Sequence, residues 1–173
     1  VRPSKRTFLW WWCGGIAAFA VAIYFHLPLI IESVPGGIVD HQKAPDAATV
    51  NAIQGSWDSE GLIDASALAM IIDLIFIGIY GVGCVLGGLY YRARASHGLK
   101  ALGWVALVSG LVFLFTDYGE TIAQLIQLMR LQGDDGLAWF ASTLRPFKNA
   151  SFIAAFSALV AALIVEWKST GDA

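Results

Sequence analysis

Residues 62–91 read LIDASALAMIIDLIFIGIYGVGCVLGGLYY, with Asp64 and Asp73 as their only charges. A run this apolar exceeds the ~20 residues that cross ~30 Å of hydrocarbon at ~1.5 Å per residue, and it predicts a membrane-spanning helix. Three further runs share its character, at about Phe8–Ile31, Ala101–Leu131 and Leu137–Trp167. Their excess length implies tilt, or helix ends that project into the headgroups. The first run is longer than the ~7–15 residues of a signal-peptide core and no Ala-x-Ala site closes it, so it is expected to be a retained helix. The expected fold is all-α: one membrane domain over residues 1–173, a bundle of four transmembrane helices with a first loop at 32–61.

Composition agrees. The chain of 173 residues is 57% hydrophobic and only 14% charged, with a mean hydropathy of +0.65. A soluble fold needs a more polar surface, whereas lipid tails are satisfied by Leu, Ile, Val and Phe. A net charge of −2 argues against nucleic acid as a partner, since phosphate binding needs a basic face. The two cysteines, Cys13 and Cys84, fall inside apolar runs and are expected to pack there, not to form a disulfide framework.

Charge asymmetry gives an orientation. Arg2, Lys5 and Arg6 precede the first run, and Arg92, Arg94 and Lys100 surround the connector between the second and third. The first loop is acidic, with Glu32, Asp40, Asp46, Asp58 and Glu60 against Lys43. Positive flanks stay inside, so both termini are expected on the cytoplasmic side of the membrane. Trp10, Trp11, Trp12, Tyr90, Tyr91 and Trp167 are expected at the inner headgroups. In the first loop, Pro35-Gly36-Gly37 breaks the first helix. Asp46 then serves as a candidate N-cap for a short amphipathic helix carrying Ala47, Val50, Ile53 and Trp57. That helix either lies on the outer membrane surface or lids the bundle.

Small residues mark close helix approach: Gly83 and Gly87 with Gly88 on the second span, Ala154, Ala158 and Ala162 on the fourth, Gly14, Ala18 and Ala22 on the first. Gly83, Gly87, Ala154 and Ala158 are also candidate contacts for self-association or for other membrane subunits.

The informative residues are ionisable groups far from water. Asp73 lies ~16 Å from the outer end of its span. Asp117 and Glu120, three apart, share a helix face. They stand ~24–29 Å above the inner end, and Lys148 on the fourth span stands at a comparable ~28 Å. An unpaired charge at that depth costs at least ~2.5–3.5 kcal/mol, so these residues are expected to face inward and pair. Lys148 would bridge Asp117 and Glu120, with Arg145 near the outer rim. Thr116, Tyr118, Thr121, Gln124, Asn149 and Ser151 offer further hydrogen bonds. One reading is an ion-pair network that fixes helix register. The other is a binding site or proton path.

Asp73-Leu-Ile-Phe-Ile-Gly-Ile-Tyr80, Asp117-Tyr-Gly-Glu120-Thr121 and the lysine of Thr143-Leu-Arg-Pro-Phe-Lys148 resemble motifs of a family of small, uncharacterised bacterial four-helix membrane proteins. The likeness covers roughly residues 45 to 165 and departs at Thr121, where that family carries Asn. The resemblance implies a fold and a charge cluster, and it implies no activity.

No catalytic motif, metal-ligand spacing or phosphate loop occurs. The three histidines, His26, His41 and His97, include no intramembrane pair to hold a haem, so no cofactor or metal is expected. Three function classes follow: an accessory or scaffold subunit of a larger membrane assembly, a ligand-binding or transporter-like protein using Asp73, Asp117, Glu120 and Lys148, and a membrane enzyme with an Asp117/Glu120 acid–base pair. The first leads. The last is least favoured, because Lys148 beside both carboxylates would hold them ionised.

Overall fold

The computed structural model describes residues 3–171. Its order is α1 (Lys5–His26), a 3₁₀ turn (Leu27–Leu29), α2 (Ile38–Lys43), α3 (Ala47–Ser59), α4 (Ile63–Arg92), α5 (His97–Arg130) and α6 (Asp135–Gly171). Four helices are long and apolar enough to cross a membrane, α1 with its 3₁₀ turn, α4, α5 and α6. The all-α, four-span bundle is the expected one. Helix ends differ by a few residues: α1 ends at His26 and passes into its 3₁₀ turn before Ile31, α5 begins at His97 instead of Ala101, and α6 continues past Trp167.

The chain divides into two compact units: 3–17, 77–115 and 147–171 in one, and 18–76 with 116–146 in the other. The first holds the parts nearest both termini and is called here the terminal unit. The second holds α2 and α3 and is called the lid unit. Helix α6 passes from one to the other at Pro146, a residue that removes one backbone donor inside a helix.

Glycine contacts define the terminal unit. A Cβ on Gly83 would sit 2.6 Å from the backbone nitrogen of Trp12, and one on Gly15 would sit 2.5 Å from Cα of Tyr80. Without side chains there, α1 and α4 approach backbone to backbone. In lipid such close dispersion contact replaces the hydrophobic drive between helices. Gly88 makes the same approach to Leu107 of α5, and Gly87 receives the side chain of Leu159 of α6. Gly83 and Gly87, candidates for contacts between chains, are therefore occupied within this one. Trp12 turns into the protein, 6% exposed, with its ring 5.6 Å from that of Phe156, whereas Trp10 stays 70% exposed. Tyr80, Phe113 and Phe152 pack as an aromatic triplet, and the Tyr80 hydroxyl donates to the Phe152 carbonyl at 3.2 Å. Cys84 is buried as expected. Cys13 is not: it lies on an exposed face of α1.

The lid unit has a conventional apolar core. Asp46 caps α3, its Oδ1 accepting from the Thr49 amide at 2.8 Å, and the cap aims one helix face at the protein. Val50, Ile53 and Trp57 on that face join Leu29, Val34, Ile38, Met70, Leu128 and Ala138 in one buried cluster. The amphipathic helix thus lids the protein, and its apolar side turns inward. Its first turns are tied to the start of α6 and the connector before it: the Ala47 amide donates to Asp135 Oδ1 at 2.7 Å and the Gly133 amide to Asn51 Oδ1 at 2.6 Å. The first loop holds one helix more than expected, because Gly37, at φ +54°, redirects the chain into the short α2.

Candidate functional site

In the lid unit, α5 turns Asp117, Glu120, Thr121, Gln124 and Gln127 to one side, at spacings that share a helical face. All five are buried, Glu120 completely and Asp117 to 3% exposure. Asp73 of α4 is buried as well, and the Thr121 hydroxyl donates to its Oδ2 at 3.5 Å, at the limit of a hydrogen bond. The structure therefore brings Asp73 against the polar face of α5. The Gln124 amide nitrogen is enclosed and has no hydrogen-bond partner among the described residues. Gln127 is engaged at both ends of its amide: the nitrogen donates to the Ala123 carbonyl at 3.2 Å and the oxygen accepts from the Asp134 amide at 2.9 Å.

Of the two basic residues proposed for the cluster, Arg145 is half-buried in the lid unit, its Nε enclosed without a partner among the described residues. Lys148 belongs to the terminal unit and is buried at 8% exposure, so it does not reach out to headgroups. Ser151 is buried beside it and donates to the Lys148 carbonyl at 3.0 Å. Asn149 is exposed, so its expected part in an internal hydrogen-bond network fails. Helical geometry explains this: a residue next to a buried one lies ~100° around the axis and leaves the packed face.

The terminal unit contains a charged centre that sequence reasoning passed over. Glu166, 8% exposed, accepts the Lys5 ammonium at 2.6 Å on Oε2 and the Arg94 guanidinium on Oε1. The hydroxyls of Tyr90 and Tyr91 each donate to it at 3.1 Å. Arg94 also reaches the Tyr90 hydroxyl and lies over that ring, 4.5 Å from its centre. One carboxylate thus gathers the start of α1, the end of α4, the α4–α5 connector and the last turns of α6. Tyr90 and Tyr91, expected at the inner headgroups, both turn their hydroxyls to this carboxylate, and Tyr91 is fully buried. The available signal was a lone Glu inside the apolar run Leu163-Ile-Val-Glu-Trp, with basic residues at the other helix ends of that side.

A third polar group lies under the lid. His41 of α2 is 2% exposed, its ring centre 5.3 Å from that of Trp57, and its Nε2 lies 3.1 Å from Gln54 Nε2. Burial pushes its pKa down to about 4, so the imidazole is neutral at neutral pH. With the amide nitrogen donating to Nε2, the ring proton sits on Nδ1. The Trp57 indole donates to the Leu29 carbonyl at 3.1 Å and joins the lid to the end of α1's 3₁₀ turn.

The fold and these centres define a multi-pass membrane protein with enclosed ionisable groups. No family model, curated protein or solved structure matches this chain.

Proposed function

We propose that the chain is a non-catalytic accessory or scaffold subunit of a larger membrane assembly, set in a bacterial inner membrane with both termini cytoplasmic. The observation that carries this reading is enclosure. Glu120 is 0% and Asp117 3% exposed, so protein surrounds the carboxylates at membrane depth. Polar groups sealed in this way set helix register, the best-attested use of such groups. The outward faces suit assembly, since Phe115, Met129, Trp139 and Ile153 are each more than 60% exposed and present apolar surface to lipid or neighbouring chains. Gentle solubilisation of the tagged chain from its native membrane tests the reading. A stoichiometric set of unrelated subunits is expected to follow it through two purification steps, and recovery as a free monomer would reject it.

A second reading, a ligand-binding or transporter-like protein, is favoured by the unpartnered Gln124 amide beside Asp73, Asp117 and Glu120. It requires Asp117→Asn to abolish binding or transport while the folded amount stays unchanged. A variant that loses folded protein supports the scaffold reading instead.

A further inference from the structure

Lys5, Arg6, Leu9, Trp10 and Cys13 line an open groove of about 540 Å³ on α1. These positions recur at helical spacing and share one face, and the volume falls within the ~300–1,000 Å³ of small-molecule sites. The groove is polarised. Its two cations stand at the start of the helix, and its apolar part runs ~12 Å further, to Cys13. The Lys5 ammonium is already engaged by Glu166 at 2.6 Å. Arg6 is exposed and has no ion-pair or hydrogen-bond partner among the described residues. Trp10 is 70% exposed, an amphipathic ring with its indole N–H available.

A free guanidinium above an apolar trough, at the end of a candidate span, matches the chemistry of one membrane component. We propose that this groove binds a single anionic phospholipid. Its phosphate sits on the Arg6 guanidinium, a planar fork that pairs two phosphate oxygens at once. The Trp10 indole donates to the same headgroup and one acyl chain lies along Leu9 and Cys13, while Lys5 stays paired with Glu166 at the rim. A zwitterionic lipid offers the same chain but a neutralised headgroup, so charge is what the site selects.

The test uses the full chain in neutral detergent, titrated with phosphatidylglycerol or phosphatidylcholine of identical acyl chains and read by native mass spectrometry. One phosphatidylglycerol is expected to be retained in preference to phosphatidylcholine. Arg6→Gln should weaken phosphatidylglycerol about fivefold, the effect of one basic side chain near an anionic headgroup, and leave phosphatidylcholine unchanged. Lys100→Gln removes an exposed charge outside the groove and should change neither. Equal weakening by both substitutions would mean diffuse surface charge and would overturn the site, as would the absence of any preference. The native thiols give a second readout. Alkylation of exposed Cys13, with buried Cys84 as the internal control, should slow when phosphatidylglycerol is added to wild type but not to Arg6→Gln. If Cys13 is instead shielded without lipid as protein concentration rises, a second copy occupies the groove and the proposal fails.

Discussion

The terminal unit and the lid unit hold their polar groups in opposite ways. In the terminal unit Glu166 is met by two cations that remain 46% and 41% exposed, and its grip depends on charge at the edge of water. In the lid unit His41 and Gln54 at 2% and Glu120 at 0% exposure are sealed away from water. The same residue types therefore do different work by location. Edge charges respond to ionic strength, whereas sealed ones respond to changes of volume and protonation.

Three perturbations break or sharpen that contrast. The largest effect is expected from Trp57→Ala. Its indole is fully buried in the lid core and donates to the Leu29 carbonyl. The cavity and the orphaned acceptor should together destabilise the lid unit by about 3–5 kcal/mol. Hydrogen exchange at α3 and in denaturant titration of the purified protein would register it. Little change would mean that the lid is not joined to its core as described.

Acidification should come next. Burial holds the folded pKa of His41 at about 4, below the ordinary imidazole value of 6.5. The unfolded chain then binds the extra proton first. Stability is full above about pH 6.5 and falls as pH drops towards 4, by about 3 kcal/mol over that window. The neighbouring cap carboxylate, Asp46, is held below its usual value by its bonds to Thr49 and loses its contribution only at lower pH. His41→Gln should flatten the slope of melting temperature between pH 6.5 and 4.5. An unchanged slope in that variant would remove His41 as its source.

The smallest effect should be Glu166→Gln, which removes two ion pairs but keeps an acceptor for Tyr90 and Tyr91. With both cations partly in water, about 1 kcal/mol is expected. The distinguishing feature is salt: raising ionic strength to 1 M should narrow the gap between wild type and variant. A gap independent of salt would place Glu166 among the sealed groups and erase the contrast.

Much of this fold was legible because lipid imposes a coarse constraint on sequence. Four long apolar runs could not be read otherwise, and Asp46 before a periodic Ala47, Val50, Ile53 and Trp57 announced α3. That Asp73, Asp117, Glu120 and Lys148 would turn inward followed from the cost of leaving a charge in lipid, and all four are buried. Directions around an axis were harder. Trp12 and Tyr91 look like interfacial aromatics by composition, yet packing against Phe156 and Glu166 turns them inward. Glu166 escaped because a carboxylate near the end of a span has water as an alternative partner. Its true partners are more than 70 positions away in sequence or at the other end of the chain. α2 is only six residues long, too short for a periodic signal, and so the enclosure of His41 was invisible.

Enclosure of the α5 polar face is tested most directly by chemical access to Thr121, which is 1% exposed beside Glu120. Thr121→Cys, a change of small volume, would be placed in a Cys13→Ala background and treated with a water-soluble thiol reagent in native membranes. The thiol should stay unmodified until the protein is unfolded. Rapid modification of the folded protein would show a water-filled path to the buried carboxylates, contradict the scaffold reading and favour a conduit or binding cavity.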